Sequence, residues 1–171
     1  TLPNGNQKNL PMVVLVHGGP YGVADNWVFS QIGSLESQFL AHYGYAVLQV
    51  NYRGSGGRGL DFQYDAYRKM GKEMQDDLTD ATLWAVKQGY ADKNRLCIYG
   101  ASYGGYASLM GVVKEPDLYK CAIGYAGVYD ITVQAEESDT RDSENGRDFL
   151  VKAWNAYDKD FVRERSAAYH V

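Results

Sequence analysis

Leu96-Cys97-Ile98-Tyr99-Gly100-Ala101-Ser102-Tyr103-Gly104-Gly105-Tyr106 is the stretch on which the reading of the whole chain turns. Four apolar residues of strand type run into G-x-S-x-G, and residues 103–114 then continue as a helix closed by Pro116. Between a strand and a helix this pattern forms a nucleophile elbow, a turn so tight that the serine side chain stands clear of the sheet. Glycine serves at 100 and 104 because a Cβ at either place would collide across the turn. The N–H of Tyr103, at a helix N-terminus, would then face an oxyanion developing on a substrate carbonyl. The same five residues also suit an ordinary glycine-rich turn, so the context has to decide.

Upstream, residues 12–16 are a continuous β-branched run, the pattern of a strand buried on both faces of a parallel sheet. It ends in His17-Gly18-Gly19-Pro20-Tyr21-Gly22, where adjacent glycines let backbone N–H groups point outward, as an oxyanion loop requires. Residues 34–43 read as a helix with Leu35, Phe39 and Leu40 inward and Gly44 as its stop. Residues 45–50 read as a second strand, followed by Asn51-Tyr52-Arg53-Gly54-Ser55-Gly56-Gly57-Arg58-Gly59. Gly54, Gly56 and Gly59 match the dinucleotide fingerprint, but three residues separate strand from first glycine and the next strand ends without an acid to hold a ribose. A nucleotide-binding or interaction module therefore stands only as an alternative. Residues 72–88 form an amphipathic helix with Met74, Leu78, Ala81, Ala85 and Val86 on one face, and Asp76, Asp77 and Asp80 on a solvated, dipole-favoured one. A fourth strand spans 121–126, residues 135–148 have the composition of a solvated loop, and 147–157 suit a short helix.

Strands alternating with helices imply an α/β fold with a parallel sheet built from right-handed crossovers. The turns at 17–20, 53–59 and 102–105 each follow a strand, so all three meet at the carboxyl edge, where such sheets bind ligands. That convergence raises the elbow from a common pattern to a candidate site.

The 171 residues fit one domain, with 45% hydrophobic and 22% charged residues. A net charge of −4 without basic blocks argues against nucleic acid as a partner. The longest apolar run, 12–16, is too short to cross a bilayer, and any targeting segment is expected outside the chain. No Cys/His cluster has metal-ligand spacing, and no cofactor is expected. Cys97 and Cys121 read first as free core thiols, with a disulfide open if their strands are neighbours, and the compartment stays undetermined.

Taken together, His17-Gly18-Gly19-Pro20, Asn51-Tyr52-Arg53-Gly54-Ser55-Gly56, residues 100–106 and Leu118-Tyr119-Lys120-Cys121-Ala122 resemble the α/β-hydrolase domain of the prolyl oligopeptidase family of serine peptidases. The resemblance runs from Leu10 to the end of the chain and is closest to acylaminoacyl-peptidase-like or dipeptidyl-peptidase-like members. It implies an incomplete α/β-hydrolase fold over residues 1–171, a four-stranded parallel core with helices on both faces, without the N-terminal propeller or the later strands that carry the triad acid and histidine. It further implies Ser102 as the acylated nucleophile and the N–H groups of Tyr103 and Gly19 as the oxyanion hole, with His17, Tyr21 and Tyr106 as candidates for contact with a short peptide substrate. The triad order Ser, Asp, His leaves Asp130 one strand too early and His42 and His170 off the expected positions. The partner this implies is the rest of the same polypeptide, and the isolated chain is expected to be inactive. A carboxylesterase or deacylase on the same fold is the alternative enzyme, because both acyl transfers pass through a tetrahedral oxyanion.

Overall fold

The apolar runs become four strands, β1 (Leu10–Val16), β2 (Ala46–Gln49), β3 (Ala91–Ala101) and β4 (Cys121–Tyr125), in the computed structural model, which describes residues 1–5, 7–27 and 32–170. All neighbouring strands are parallel, in the order β2-β1-β3-β4. Parallel pairing requires crossover connections, and helices supply them. Helix α1 (Ile32–His42) joins β1 to β2, α2 (Leu60–Tyr64) and α3 (Glu73–Lys87) join β2 to β3, and α4 (Tyr103–Lys114) joins β3 to β4. Among the described residues no helix is long and apolar enough to cross a membrane.

Alternation along the strands sorts the two faces. Met12, Val14, Val16, Leu96 and Ile98 enter the main core with Met74, Leu78 and Ala85 of α3 and Ala107 and Met110 of α4. Leu78, Leu96 and Ile98 are sealed from solvent, each contributing about 1.5–3 kcal/mol by burial. Val13, Cys97, Tyr99, Cys121 and Ile123 face the other way, toward α1. Here the expected inward packing of Leu35 and Phe39 is corrected: they are 47% and 61% exposed, because they line an open apolar groove against the sheet rather than a closed interface.

Cys97 and Cys121 are directly paired residues of β3 and β4, with Cα atoms 4.7 Å apart, and they are joined in a disulfide. The free-thiol reading is thereby corrected. The strand register that makes these cysteines neighbours is a tertiary property which their separation in sequence does not reveal.

Residues 135–148 also differ from expectation, since they are mostly helical. Helices α5 (Ile131–Glu137), α6 (Asp139–Asp142), α7 (Glu144–Trp154) and α8 (Lys159–Arg165) follow one another closely. Asp130 caps α5 by accepting from the Thr132 N–H, Ser143 caps α7 through the Gly146 N–H, and Asp158 caps α8 through the Phe161 N–H. Polar residues that resemble a loop by composition are thus helix starts, while Ile131, Leu150, Ala153, Trp154 and Val162 provide the buried side. The buried Arg165 guanidinium donates to the carbonyls of Arg68 and Met70, tying this layer to the segment before α3.

Candidate active site

β3 leads into the elbow and α4 leads away from it, and Ser102 between them has φ 57° and ψ −122°. A residue with a Cβ occupies such a conformation at a cost of about 1–3 kcal/mol, so its surroundings must hold it there. Both ends are tied: the Ser102 N–H donates to the Tyr125 carbonyl at 2.9 Å, and the Ser102 carbonyl accepts from the Tyr106 N–H at 3.1 Å. Glycines make the room. A Cβ on Gly100 would stand 2.6 Å from the Val16 carbonyl oxygen, and one on Gly104 only 2.1 Å from the same atom. Ser102 is left exposed at the carboxyl edge, and the Tyr103 N–H lies in the first turn of α4, where a helix has no internal acceptor.

The loop after β1 lies directly over this turn. A Cβ on Gly18 would be 3.3 Å from Ser102 Cβ and 3.9 Å from its Oγ, so glycine allows the backbone itself to approach the serine. Gly19 follows, exposed and with φ 117°. A cavity of about 390 Å³ opens beside the elbow, bordered by His17, Gly18, Asp25, Tyr99, Ala101 and Tyr125.

The turn after β2 supports that loop. Gly22 N–H donates to Gly54 O, Gly56 N–H to Val23 O, and Asp25 N–H to Asn51 Oδ1, while Asn51 Nδ2 returns a bond to Asp25 O. A Cβ on Gly56 would meet Gly22 O at 2.4 Å and one on Gly54 the Tyr21 ring at 3.2 Å, so two of the fingerprint-like glycines serve the close contact between these two loops. The sequence places the turn at 53–59 on the rim and reads Asp77 as solvated, but it assigns no supporting role to Asn51, Tyr52, Arg53, Ser55 or Asp77. The one available signal is an arginine in a glycine turn followed by a helix rich in acids. Asp77 is not simply solvated: it accepts the Arg53 guanidinium in a two-pronged ion pair, and Asp76 pairs with Lys114.

The sequence-predicted side chains divide. Ser102 and the Tyr103 backbone lie at the edge, with Gly18 against Ser102 and exposed Gly19 next in the chain. His17 lies nearby, but its ring stacks on Tyr52 at 4.4 Å, Nδ1 donates to Gly18 O, and Nε2 then accepts from the buried Ser55 hydroxyl at 2.9 Å. Burial pushes its pKa below the usual value, and burial pushes that of nearby Asp25 up. Tyr21 packs edge-on against Tyr67 and Phe149, and burial raises its hydroxyl pKa far above normal. Tyr106 is not brought to the edge at all. It is fully buried, and its hydroxyl donates to Arg165 O at 2.9 Å, because the fourth residue after Ser102 turns into the core side of α4. Of the other titratable candidates, Asp130 caps α5, His42 ends α1, and exposed His170 bonds Glu164 O.

Comparison with known proteins agrees with this arrangement. The family model described as "Prolyl oligopeptidase family" matches residues 31–171. Dipeptidyl aminopeptidase BIII of Pseudoxanthomonas mexicana is 44% identical over 135 residues, 74% of this chain and 19% of that protein. Dipeptidyl peptidase 8 of Homo sapiens is 35% identical over 122 residues, covering 71% of this chain and 14% of its own. Among solved structures, the acylaminoacyl peptidase of Pyrococcus horikoshii superposes with a TM-score of 0.83 at 27% identity, over 99% of this chain and 26% of that one. A puromycin-hydrolyzing peptidase of Mycobacterium tuberculosis gives a TM-score of 0.80 at 32% identity, over 98% of this chain and 24% of that one. The chain thus spans about a fifth or less of the length of these curated relatives. The parallel sheet with its flanking helices is an α/β-hydrolase fold, and the chain belongs to the prolyl oligopeptidase family.

Proposed function

We propose that this chain supplies the nucleophile and oxyanion half of a serine peptidase that hydrolyses short peptides. The observation that carries the reading is Ser102 held at φ 57° under the Gly18-Gly19 backbone. Ser102 Oγ attacks the scissile carbonyl, and the N–H groups of Tyr103 and Gly19 stabilise the tetrahedral oxyanion. The amine then leaves with a proton, and water hydrolyses the acyl-enzyme by the reverse sequence. The histidine that accepts and returns this proton, and its orienting acid, belong to polypeptide outside these 171 residues. Both ring nitrogens of His17 are already engaged, His170 is held on Glu164 O, and the Asp130 carboxylate caps a helix. In this reading residues 1–171 are one part of a catalytic domain, and alone they retain at most the weak rate of about 10³ to 10⁴ over water that binding and an oxyanion hole provide.

The test uses the full-length polypeptide that carries this chain. A fluorophosphonate probe should label Ser102 covalently, and Ser102→Ala should abolish both labelling and hydrolysis of dipeptide anilides. Turnover confined to aryl esters would replace the peptidase reading by an esterase or deacylase. Absence of labelling in a folded protein would remove the nucleophile assignment.

A further inference from the structure

We propose that Arg53 and Asp77 are positioning residues for the oxyanion hole, acting through the turn that follows β2. The inference rests on the assignment of Gly19 as an oxyanion donor. Gly19 sits in an exposed loop between β1 and α1, and a donor there is useful only if its N–H is held in place before the reaction. What holds the loop is the turn at 51–59. Among the described residues a set of hydrogen bonds joins the two: Gly22 N–H to Gly54 O, Gly56 N–H to Val23 O, Asp25 N–H to Asn51 Oδ1, Asn51 Nδ2 to Asp25 O, the Ser55 hydroxyl to His17 Nε2, and the Tyr52 hydroxyl to His17 O at 2.7 Å, with that same hydroxyl oxygen 3.2 Å from His17 Nδ1. They grip the loop at both ends of Gly18-Gly19.

The supporting turn is itself irregular, with positive φ at Gly54, Gly57 and Gly59, so its own position needs an anchor. Asp77 provides one. Its Oδ2 accepts the Arg53 backbone N–H at 2.8 Å and Nε at 2.9 Å, and its Oδ1 accepts a terminal guanidinium nitrogen at 2.7 Å. One carboxylate therefore fixes both the main chain and the side chain of the same turn residue. It does so from α3, whose neighbouring Met74 and Leu78 are locked in the core. The planar fork of arginine matches a carboxylate in a way that lysine does not, so charge alone is not enough for this anchor. The path runs from α3 to Asp77, Arg53, the 51–59 turn, the 17–25 loop and the Gly19 N–H.

The experiment compares Asp77→Asn and Arg53→Lys with wild type and Ser102→Ala in the full-length enzyme, with active sites counted by fluorophosphonate titration. Loss of an oxyanion donor costs about 10² to 10³ in kcat, so its misplacement should lower kcat per titrated site by about 10- to 100-fold. KM should stay within about threefold, because ground-state binding is untouched. Affinity for a peptidyl boronate, which mimics the tetrahedral state, should fall by the same factor as kcat/KM, with Arg53→Lys showing the same split. Wild-type kcat per titrated site in both variants, or a loss confined to the number of titratable sites, overturns the positioning role while a dead Ser102→Ala leaves the peptidase reading standing. Turnover by Ser102→Ala overturns the nucleophile assignment and this inference together.

Discussion

Replacing Gly104 by alanine would put a methyl group 2.1 Å from Val16 O and 3.0 Å from Val16 C. A comfortable carbon to oxygen approach is about 3.3 Å, so about 1 Å must open between the first turn of α4 and the end of β1. Neither side yields easily, since the contacting atoms are backbone and Val16 is buried in a central strand. Overpacking of this kind costs about 1–3 kcal/mol, and displacing a catalytic group by about 1 Å costs about 10²-fold in rate. Both effects fall on the elbow, because Ser102 and Tyr103 immediately precede the substituted residue. In the full-length polypeptide, we expect the melting temperature to fall and the rate constant for fluorophosphonate labelling of Ser102, followed by intact mass, to drop by about 10²-fold per folded molecule. Gly44→Ala is the control. That glycine has φ 89° and nothing within 4 Å of an added Cβ, so alanine there costs about 1–2 kcal/mol of backbone strain and leaves labelling unchanged. A folded Gly104→Ala protein that labels at the wild-type rate would refute the argument that contact with Val16 sets the position of the serine.

Opening the Cys97–Cys121 link, which spans 24 residues in sequence, should lower stability by about 3 kcal/mol on the chain-entropy estimate. Urea unfolding midpoints with and without reductant measure this, and coincident midpoints would count against a structural role. For His17 the sign follows from a pKa lowered by burial: the unfolded chain binds the proton first, so the contribution is intact above about pH 6.5 and is lost as pH falls from there through the lowered folded value. Asp25, raised by burial, works in the opposite sense at lower pH, stabilising below about 3.8 and losing that contribution as pH rises through its raised value. His17→Gln should therefore flatten the decline in urea midpoint between pH 7.5 and pH 5, and an unchanged decline would assign it to other groups.

The strands and α4 are legible in the sequence because their signals are local. Residues 12–16 announce a buried strand by being apolar without interruption, and the steric demand at Gly100 and Gly104 is implicit in the five-residue turn itself. What stays hidden depends on pairing across the fold. Asp77 looks like one of three solvated acids on α3 until the turn after β2 brings Arg53 onto it. The opposition of Cys97 and Cys121 is a matter of register, and the burial of Tyr106 is set by which side of α4 meets Arg165. Residues 135–148 mislead for another reason: they are short helices in close succession, and polar residues such as Ser143, the cap of α7, give the segment the composition of a loop.

The covalent link between β3 and β4 also works as an index mark. Two apolar parallel strands can slide past each other, and a slip of one residue moves β4 by about 3.3 Å and reverses which side chains face the core. The carbonyl of Tyr125 that receives the Ser102 N–H would then be carried out of reach. Joining Cys97 to Cys121 removes every register but one, five residues before Ser102 on β3 and four before Tyr125 on β4. The height of Ser102 above the sheet is in this sense measured from a half-buried sulfur bond along the strands, five residues back from the turn itself.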